Sequence, residues 1–473
     1  MLDPAPSYRD KDSREHQPQV HAAGLLLLAL SAWIRRQAWL AAIYRRFPVD
    51  WRMFVSRTMA ARSTRDLRFK RTRAWSTAGS TATRPLQGAI LNGVDPKFAV
   101  AAGVNLHGYF RGQFGLAESA RVYARAWMAA GYPLALCDLD IELPHSLGDA
   151  SLGAAISSSC PHPVDIIFVN PDQLGLALEK IESEHPGKRY RVGCWFWELE
   201  NFPKQWIPAL DQVDAVMVAS EFIAQSIRRV TDKPVFVIPL PVNDLTDSGL
   251  TRADFGLSQD DFIFLCSFDF NSWMSRKNPI AVVEAFKRAF PADRTGVRLL
   301  LKSSNGHRHP ESLAALIGAV GGDHRVLMRD EVLEREHVYA LQRCCNAFVS
   351  LHRSEGFGLG LAECMLQGRS AIATGYSGNL QFMSAENSLL VNYRLVPVQP
   401  GEYLYIDGQL WAEPNLDHAA SLMRELADQP GRAAALGFTA QCDLRSRFSP
   451  FVCAEALASS LAEAGCASRA STQ

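Results

Sequence analysis

The sequence lacks paired cysteine motifs, and this absence excludes several kinds of site. Its ten cysteines form no C-x-x-C pair, so nothing supports a zinc ribbon or a thioredoxin-like redox motif. Most of them, such as Cys194, Cys266 and Cys364, lie inside apolar runs, where a thiol acts as a small hydrophobe; this usage fits a reducing cytoplasm. With 48% hydrophobic and 21% charged residues, the 473-residue chain can bury sizeable cores, which excludes wholesale disorder.

The N-terminal part also lacks an apolar run long enough to span a membrane. The run at 22–34 (AAGLLLLALSAWI) has 13 residues, whereas a spanning helix needs roughly 20. Extending the run to Tyr44 would place Arg35 and Arg36 at mid-span, which is costly. The same two arginines stand where a signal peptide has its small cleavage-site residues. The sequence therefore disfavours both a transmembrane helix and a signal peptide.

The chain has no net charge, with 49 basic and 49 acidic residues, but the balance is uneven. Residues 1–75 carry a net charge of +9 and the remainder a net charge of −9. Between Arg35 and Arg73, 12 basic and two acidic residues alternate with aromatic and aliphatic ones. This pattern predicts helices at 22–73 that lie on an anionic membrane surface, although a solvated extension or an overextended start would have the same composition. No nucleic-acid-binding motif accompanies the charge, so we expect no nucleic-acid partner.

Beyond Phe98, short apolar runs alternate with helical patterns, which is typical of βαβ units and parallel sheets. One series of strands is predicted at 99–107, 133–139, 164–170, 189–197, 215–220 and 235–242. After a polar segment at 243–260, a second series is predicted at 261–268, 297–304, 325–330, 347–352, 370–374 and 388–393. The segment after Trp411 is predicted to be helical, with breaks at Gly431 and Pro450.

These patterns predict an α/β protein with two doubly wound parallel-sheet domains. The expected divisions are a basic, partly helical extension at 1–95, domains at 96–245 and 255–448, and a C-terminal helix and tail at 449–473.

Ligands of doubly wound sheets bind beyond the carboxyl ends of the strands, so the turns that follow strands are the candidate sites. The first turn, HGYFRGQFGLAES at 107–119, brings Gly112 and Gly115 to the start of a helix near Leu116. Glycines allow close backbone approach, and the free N–H groups of a helix start can face an anion. The spacing is not that of the dinucleotide fingerprint G-x-G-x-x-G.

The second turn, FDFNSWMSRKNP at 268–279, contains Arg276 and Lys277. Asn278 is predicted to cap the following helix, and Pro279 suits its first position. Two cations beside a helix N-terminus suit a pyrophosphate. Lys302 is a further cation expected on the same rim.

The third turn, SEGFGLGLAECMLQG at 354–368, opens a helix after a predicted strand. Glu355 and Glu363 are eight residues apart, which in a continuous helix would separate their backbones by about 12 Å. That separation does not suit a glycosidase pair. It suits two acceptors that bind different hydroxyl groups of one long ligand.

The motif E-G-F-G-x-x-x-x-E at 355–363, followed by a strand and G-Y-S-G-N at 375–379, resembles glycosyltransferase family 4. The resemblance covers roughly residues 98–465, and its fuller strings are similar to a bacterial subgroup linked to polysaccharide assembly. It implies the GT-B fold, with two Rossmann-like domains facing across a cleft. It also implies a retaining, metal-independent enzyme without a cofactor, which moves a hexose, with mannose mildly preferred, from a nucleotide diphosphate sugar to a saccharide or lipid-linked saccharide. The expected location is the cytoplasm, with peripheral binding at the inner face of the cell membrane.

The resemblance also implies roles for individual residues. Glu355 is similar to the glutamate that contacts the transferred sugar, and Glu363 to the one that accepts hydrogen bonds from the ribose. Lys277 and Arg276 resemble the basic pair that holds the donor diphosphate. The implied donor site is completed by Gly112, Gly115, Phe357, Gly358, Lys302 and Gly378.

Two departures from the family pattern leave alternatives open. Phe268-Asp269 replaces the usual Gly-Arg of the diphosphate site, and WFWELE at 195–200 stands where many relatives have a catalytic-site histidine. Glu198 and His107 are candidates for that place without an assigned role. The alternative function is a non-catalytic nucleotide-sugar-binding partner of a membrane polysaccharide assembly complex. An NAD(P) oxidoreductase lacks its fingerprint, and the D-x-D at 138–140, a metal-binding motif in other transferases, occurs often by chance.

Overall fold

The computed structural model describes residues 22–64, 94–112, 114–139, 148–242 and 245–466. The described residues form two six-stranded parallel sheets flanked by helices, and one two-stranded sheet. Several predictions fall outside the described residues: both ends of the basic extension (1–21 and 65–93), the second acid of the D-x-D at 138–140, the start of the polar linker and the C-terminal tail.

The first sheet has the strand order β2-β1-β3-β4-β5-β6. Its central strands are nearly continuous apolar runs because helices and loops cover both faces. The strands are β1 (Val104–Gly108), β2 (Leu134–Asp138), β3 (Val164–Ile167), β4 (Tyr190–Cys194), β5 (Ala215–Val218) and β6 (Val235–Val237).

The second sheet has the order β12-β11-β10-β7-β8-β9, which is the dinucleotide-fold order 3-2-1-4-5-6 read from its other edge. Its strands are β7 (Phe262–Asp269), β8 (Val297–Ser304), β9 (Val326–Asp330), β10 (Ala347–Ser350), β11 (Ser370–Thr374) and β12 (Leu389–Val391). A separate antiparallel hairpin consists of β13 (Tyr393–Pro397) and β14 (Leu410–Pro414).

Amphipathic helices connect the strands and bury their apolar faces on the sheets. Side-chain caps fix several of the helix starts: Ser220 accepts from the N–H of Ile223, and Asn415 from that of His418. The helices are α1 (Ala22–Arg36), α2 (Ala38–Arg45), α3 (Val49–Ser63), α4 (Gly115–Ala129), α5 (Pro171–Glu184), α6 (Glu221–Arg228), α7 (Met274–Lys277), α8 (Pro279–Ala289), α9 (Pro310–Val320), α10 (Arg335–Cys344), α11 (Leu359–Leu366), α12 (Leu416–Asp428), α13 (Pro430–Arg447) and α14 (Pro450–Glu463).

The structure corrects several sequence-based predictions, among them the following three. The strand predicted at 99–107 begins only at Val104, because a 3-10 turn at Pro96–Phe98 occupies the approach. The strand predicted at 235–242 ends at Val237. Asn278 precedes α8, but its backbone is left-handed (φ 51°) and its side chain makes no capping hydrogen bond.

Two of the connections between the sheet domains meet, namely the one that leaves the first domain after β6 and the one that returns to it before α14. After α13, which packs on α11 and β11, helix α14 returns to the first domain and packs against α4. At the return point, the backbone N–H of Val242 donates to the C=O of Phe448 at 2.9 Å. The aromatic contact between Phe98 and Phe451 secures α14 on the first domain.

The N-terminal helices pack on the second domain. Leu28 of α1 and Ala60 of α3 belong to the same apolar cluster as α8, α9 and β7, and Arg36 pairs with Glu311 of α9 at 2.8 Å. No helix among the described residues has both the length and the apolarity required to cross a membrane.

Candidate active site

The candidate site lies where the strand order of the second sheet reverses. Strands β7 and β10 are neighbours there, yet their chains continue to opposite sides of the sheet. Ligands of doubly wound folds bind beyond the carboxyl ends of the strands at such a point. The turns that follow β7 and β10 carry the cations Arg276 and Lys277 and the acid Glu355.

Glu355 is buried and paired with two cations. Its Oε1 lies 2.5 Å from the Nζ of Lys277, and its Oε2 lies 3.2 Å from Nη1 of Arg276. Burial alone would raise the pKa of the carboxyl, but the charges of Lys277 and Arg276 lower it to about 2. Glu355 is therefore a fixed negative charge at neutral pH rather than a proton donor.

Arg276 fixes the position of the Glu355 side chain. Its side chain is 5% exposed, and its Nη1 also donates to the C=O of Ser354 at 2.9 Å. Its Nη2 lies 3.7 Å from Glu198 of the first domain, and its guanidinium stands over the ring of Tyr403 at 5.7 Å. Arg276 is thus enclosed by protein groups, whereas the less buried Lys277 remains the cation nearer to solvent.

The G-Y-S-G-N segment fixes the turn that carries Glu355. Gly378 donates its N–H to the C=O of Glu355 at 2.9 Å, and the N–H of Glu355 donates to Ser377 Oγ at 2.9 Å. A Cβ at Gly378 would stand 2.0 Å from the C=O oxygen of Gly356, so only glycine fits there. Gly358 has φ 96° and starts α11, whose first N–H groups have no acceptor within the helix.

Glu363 lies on α11, whereas Glu355 precedes that helix, so the two do not share one helical ladder as the 12 Å estimate assumed. Glu363 is buried and ion-paired with Arg335, and Gln342 donates to its other oxygen at 3.4 Å. Burial raises its pKa, against the lowering effect of Arg335. Arg335 also lies 3.6 Å from Glu118 on α4, so this cation links the two domains.

The glycine loop lies on the facing rim of the first domain. Arg121 donates from its Nη1 to the C=O of Gly112 at 2.6 Å and holds the loop against α4. Gly115 is the first residue of α4, and a Cβ placed on it would meet no atom within 4 Å. The open space beside a helix N-terminus is compatible with a bound anion.

The remaining candidate residues, Lys302, Phe357, His107 and Glu198, lie in four different environments. Lys302 is buried on β8, and burial lowers its pKa. The side chain of Phe357 packs on Phe382 in the core, so only its backbone faces the turn. His107 is 1% exposed, and its ring is hydrogen-bonded to Asp165 rather than to a group of the Glu355 cluster. Glu198, in contrast, belongs to the cluster around Arg276.

Three further residues of the site received no role in the sequence-based prediction. Tyr403, from the loop between β13 and β14, donates its O–H to Glu198 at 2.6 Å. Arg335 contacts Glu363 from α10, and only three-dimensional proximity identifies it. Trp273 has φ 63° and packs edge-on against Tyr403, a strained backbone of the kind found at functional sites.

The two domains meet directly at this site. Ser354 donates its hydroxyl to the C=O of Glu198, and Ser220 donates to the C=O of Gly356 at 2.6 Å. The carboxyl ends of the strands of both sheets therefore face one another. A separate cavity of 720 Å³ lies at the opposite, amino edge of the first sheet, lined by Gly103, Pro133 and Tyr190 among others; it contains none of the charged groups above.

The fold has known structural relatives. No protein-family model and no curated protein sequence matches the chain. Sucrose-phosphate synthase from Thermosynechococcus elongatus aligns with 77% of this chain and 99% of its own, with TM-score 0.56 and 16% identity. Anabaena HepE, solved with UDP-glucose, aligns over 76% and 100% with TM-score 0.55 and 14% identity. The fold is GT-B.

The GT-B assignment confirms the fold expected from the sequence. A glycosyltransferase from Rickettsia africae agrees with it, covering 76% of this chain and 98% of its own at TM-score 0.53 and 14% identity. In GT-B terms, β1–β6 form the N-terminal domain and β7–β12 the C-terminal domain. The candidate site lies in the cleft between them.

Proposed function

We propose that this protein is a retaining glycosyltransferase of the family 4 type that moves a hexose from a nucleotide diphosphate sugar to a saccharide or lipid-linked saccharide in polysaccharide biosynthesis. The observation that carries the proposal is the ionised Glu355, held by Arg276 and Lys277 at the reversal point of the second sheet. HepE, which has the same fold, was solved with UDP-glucose. Mannose from GDP-mannose is the preferred donor by resemblance, and UDP donors are the alternative.

The charges suit the chemistry of diphosphate departure. When the sugar–phosphate bond breaks, negative charge accumulates on the leaving diphosphate, and positive charge develops at the sugar carbon. Lys277 and the N-termini of α8 and α11 would stabilise the negative charge on the diphosphate. The Glu355 carboxylate would stabilise the positive charge at the sugar carbon. Arg276 keeps Glu355 in place and ionised. Glu363 would accept from the ribose after exchanging its contact with Arg335 for the sugar hydroxyl groups.

The test is a thermal-shift screen of nucleotide sugars, followed by transfer assays with the donor that stabilises most. We expect GDP-mannose or a UDP-hexose to raise the melting temperature and then to be transferred, with the anomeric configuration retained when the product is examined by NMR. A screen in which no nucleotide sugar stabilises the protein would contradict the proposal.

The second candidate is a non-catalytic nucleotide-sugar-binding partner of a membrane polysaccharide assembly complex. Asp269 favours it, because this carboxylate stands where the family places Gly-Arg, and it accepts from Asn305 Nδ2 at 2.8 Å. A carboxylate there opposes the negative charge that accumulates on a departing diphosphate, which disfavours transfer. Donor binding without transfer to any of a broad acceptor panel would identify this candidate, and any turnover would exclude it.

We predict that catalysis needs no bound magnesium or manganese ion. Lys277 and the helix N-termini supply the positive charge that a metal supplies in other transferases. Transfer assayed after brief EDTA treatment should therefore proceed at the untreated rate. A complete loss that Mg²⁺ or Mn²⁺ restores would show that the metal-free mechanism is wrong.

We further propose that the protein works in the cytoplasm, bound peripherally to the inner face of the cell membrane through residues 22–73. Large apolar side chains of the N-terminal helices are exposed, namely Leu26, Leu30, Trp33, Trp39, Ile43, Phe47, Val49, Trp51 and Phe54. The 12 basic residues between Arg35 and Arg73 complement an anionic lipid surface. This surface would bring the cleft near a lipid-linked acceptor.

Replacing Trp39 and Phe54 together by serine should weaken binding to phosphatidylglycerol-containing vesicles roughly tenfold or more, because each aromatic side chain contributes about 1.5–3 kcal/mol when buried. Vesicle flotation measures this binding. The matched control is Phe438→Ser on α13, a side chain 66% exposed against 63% for Trp39 and 67% for Phe54. Deleting residues 1–75 should also abolish binding; equal flotation of all these forms would refute the membrane role.

A further inference from the structure

One face of the first sheet carries polar side chains where parallel sheets are normally apolar. His107 on β1 pairs in register with Cys137 on β2, and Asn105 pairs with Asp165 on β3. All four are buried. The proposed mechanism uses none of them, although β1, which carries His107 and Asn105, leads into the glycine loop.

Residues 160–162, in the connection between β2 and β3, lie against this cluster. Asn105 donates from Nδ2 to the C=O of His162 at 2.9 Å and accepts from the N–H of His162 at 3.0 Å. These two bonds hold Cys160 and Pro161 against the sheet, where Cys160 Sγ lies 2.9 Å from Cys137 Sγ. A tetrahedral zinc ion would move the two sulfur atoms apart to about 3.8 Å, since each Zn–S bond is about 2.3 Å long. A ring nitrogen of His107 and the two sulfur atoms all lie within 4.8 Å of one another.

We propose that His107, Cys137 and Cys160 bind a zinc ion. Two thiolates and one imidazole are a ligand set that zinc takes in proteins, with a fourth position left for water. Loading displaces two thiol protons to solvent, and the two thiolates then neutralise the dication.

The surroundings of His107 support a metal site. Asp165 Oδ1 lies 3.1 Å from His107 Nε2, and Arg189 Nε holds the other oxygen of Asp165 at 2.8 Å. Ligating histidines commonly bind a carboxylate in this way, which fixes the ring and increases its basicity.

The zinc would have a structural effect separate from sugar transfer. It would link the segment that contains Cys160, before β3, to strand β2. It would also stabilise the C-terminal end of β1, from which the glycine loop starts. Leu139, two residues after Cys137, donates its N–H to the C=O of Gly108 at 2.9 Å, so the stabilising effect of the zinc would reach the glycine loop. The inference does not depend on the proposed function.

The test measures zinc in the full chain, purified with a phosphine reductant, loaded with zinc sulfate and freed of unbound metal. We expect about one zinc per chain by mass spectrometry of the elements. Cys160→Ala and Cys137→Ala should each lower zinc affinity roughly tenfold or more. The matched control is Cys442→Ala, an exposed cysteine elsewhere in the chain, which should retain the metal. Cobalt loading should give a thiolate-to-cobalt absorption band that the control also retains.

If Cys137→Ala does not fold, the half-buried Cys160 carries the test alone. A loaded chain without zinc would overturn the proposal. So would zinc retained in Cys160→Ala, or a Cys137–Cys160 disulfide that persists under the reductant and is found by peptide mass.

Discussion

Replacing Glu355 by alanine should lower the turnover of sugar transfer at least tenfold, which corresponds to about 1.4 kcal/mol of transition-state stabilisation. The reason is the fixed negative charge that Lys277 and Arg276 maintain by holding the pKa at about 2. Without it, positive charge at the sugar carbon has no counterpart. Turnover with the best donor at saturating concentration measures the effect.

Glu355→Gln separates the charge from the shape of the side chain and should lose as much turnover as the alanine variant. The control is Glu386→Ala, an exposed acid of the same domain, which should keep full turnover. Circular dichroism establishes that each variant is folded. Unchanged turnover in a folded Glu355→Ala protein would rule out the assigned role.

Replacing Arg276 by methionine should lower both stability and turnover. The guanidinium is buried against Glu355 and Glu198, and removing one partner of a buried ion pair leaves an uncompensated charge that costs roughly 3–5 kcal/mol. For a domain of this size we expect the melting temperature to fall by roughly 6 °C or more. Turnover at a temperature where the variant is folded should fall about a hundredfold, because Glu355 loses its placement.

Arg288→Met is the matched control for this experiment. Arg288 also pairs with a carboxylate, Asp417 at 3.0 Å, but both side chains are exposed, and such pairs contribute about 0–1 kcal/mol. Its melting temperature and turnover should stay close to those of the unmodified protein. Equal melting temperatures for the two variants would show that the buried ion pairs of Arg276 do not stabilise the fold. Arg276→Lys should keep the positive charge but lose the simultaneous contact of the guanidinium with Glu355 and Glu198.

The strands could be predicted from the sequence because parallel strands covered on both faces are continuous apolar runs. The predictions at 297–304 and 370–374 match β8 and β11 residue for residue. The predicted strand ends were wrong where apolar residues continue beyond the sheet, as at 99–103 and 238–242, because such residues also pack in loops. The hairpin β13–β14 went unpredicted because its first strand is mostly exposed and carries no continuous apolar run.

The candidate site was predictable only where one segment carries several of its groups. Glu355 and Glu363 share one turn and helix, and Arg276 and Lys277 share another segment. Arg335, Tyr403 and the trio of His107, Cys137 and Cys160 come from distant segments, and no spacing in the chain connects them. The single sequence also gave no sign that Arg276 would be turned toward Glu355 and enclosed.

The hydrogen bond between Val242 and Phe448 has a consequence for how the two domains move. Two connections between the sheet domains pass this one point, which would make it the pivot of a hinge rotation of one domain relative to the other. Displacement in a rotation grows with distance from the axis, so a few degrees at the pivot widen the far rim of the cleft much more than the near one. Substrate entry and product exit would then be governed by one angle, with the pivot as its fixed end.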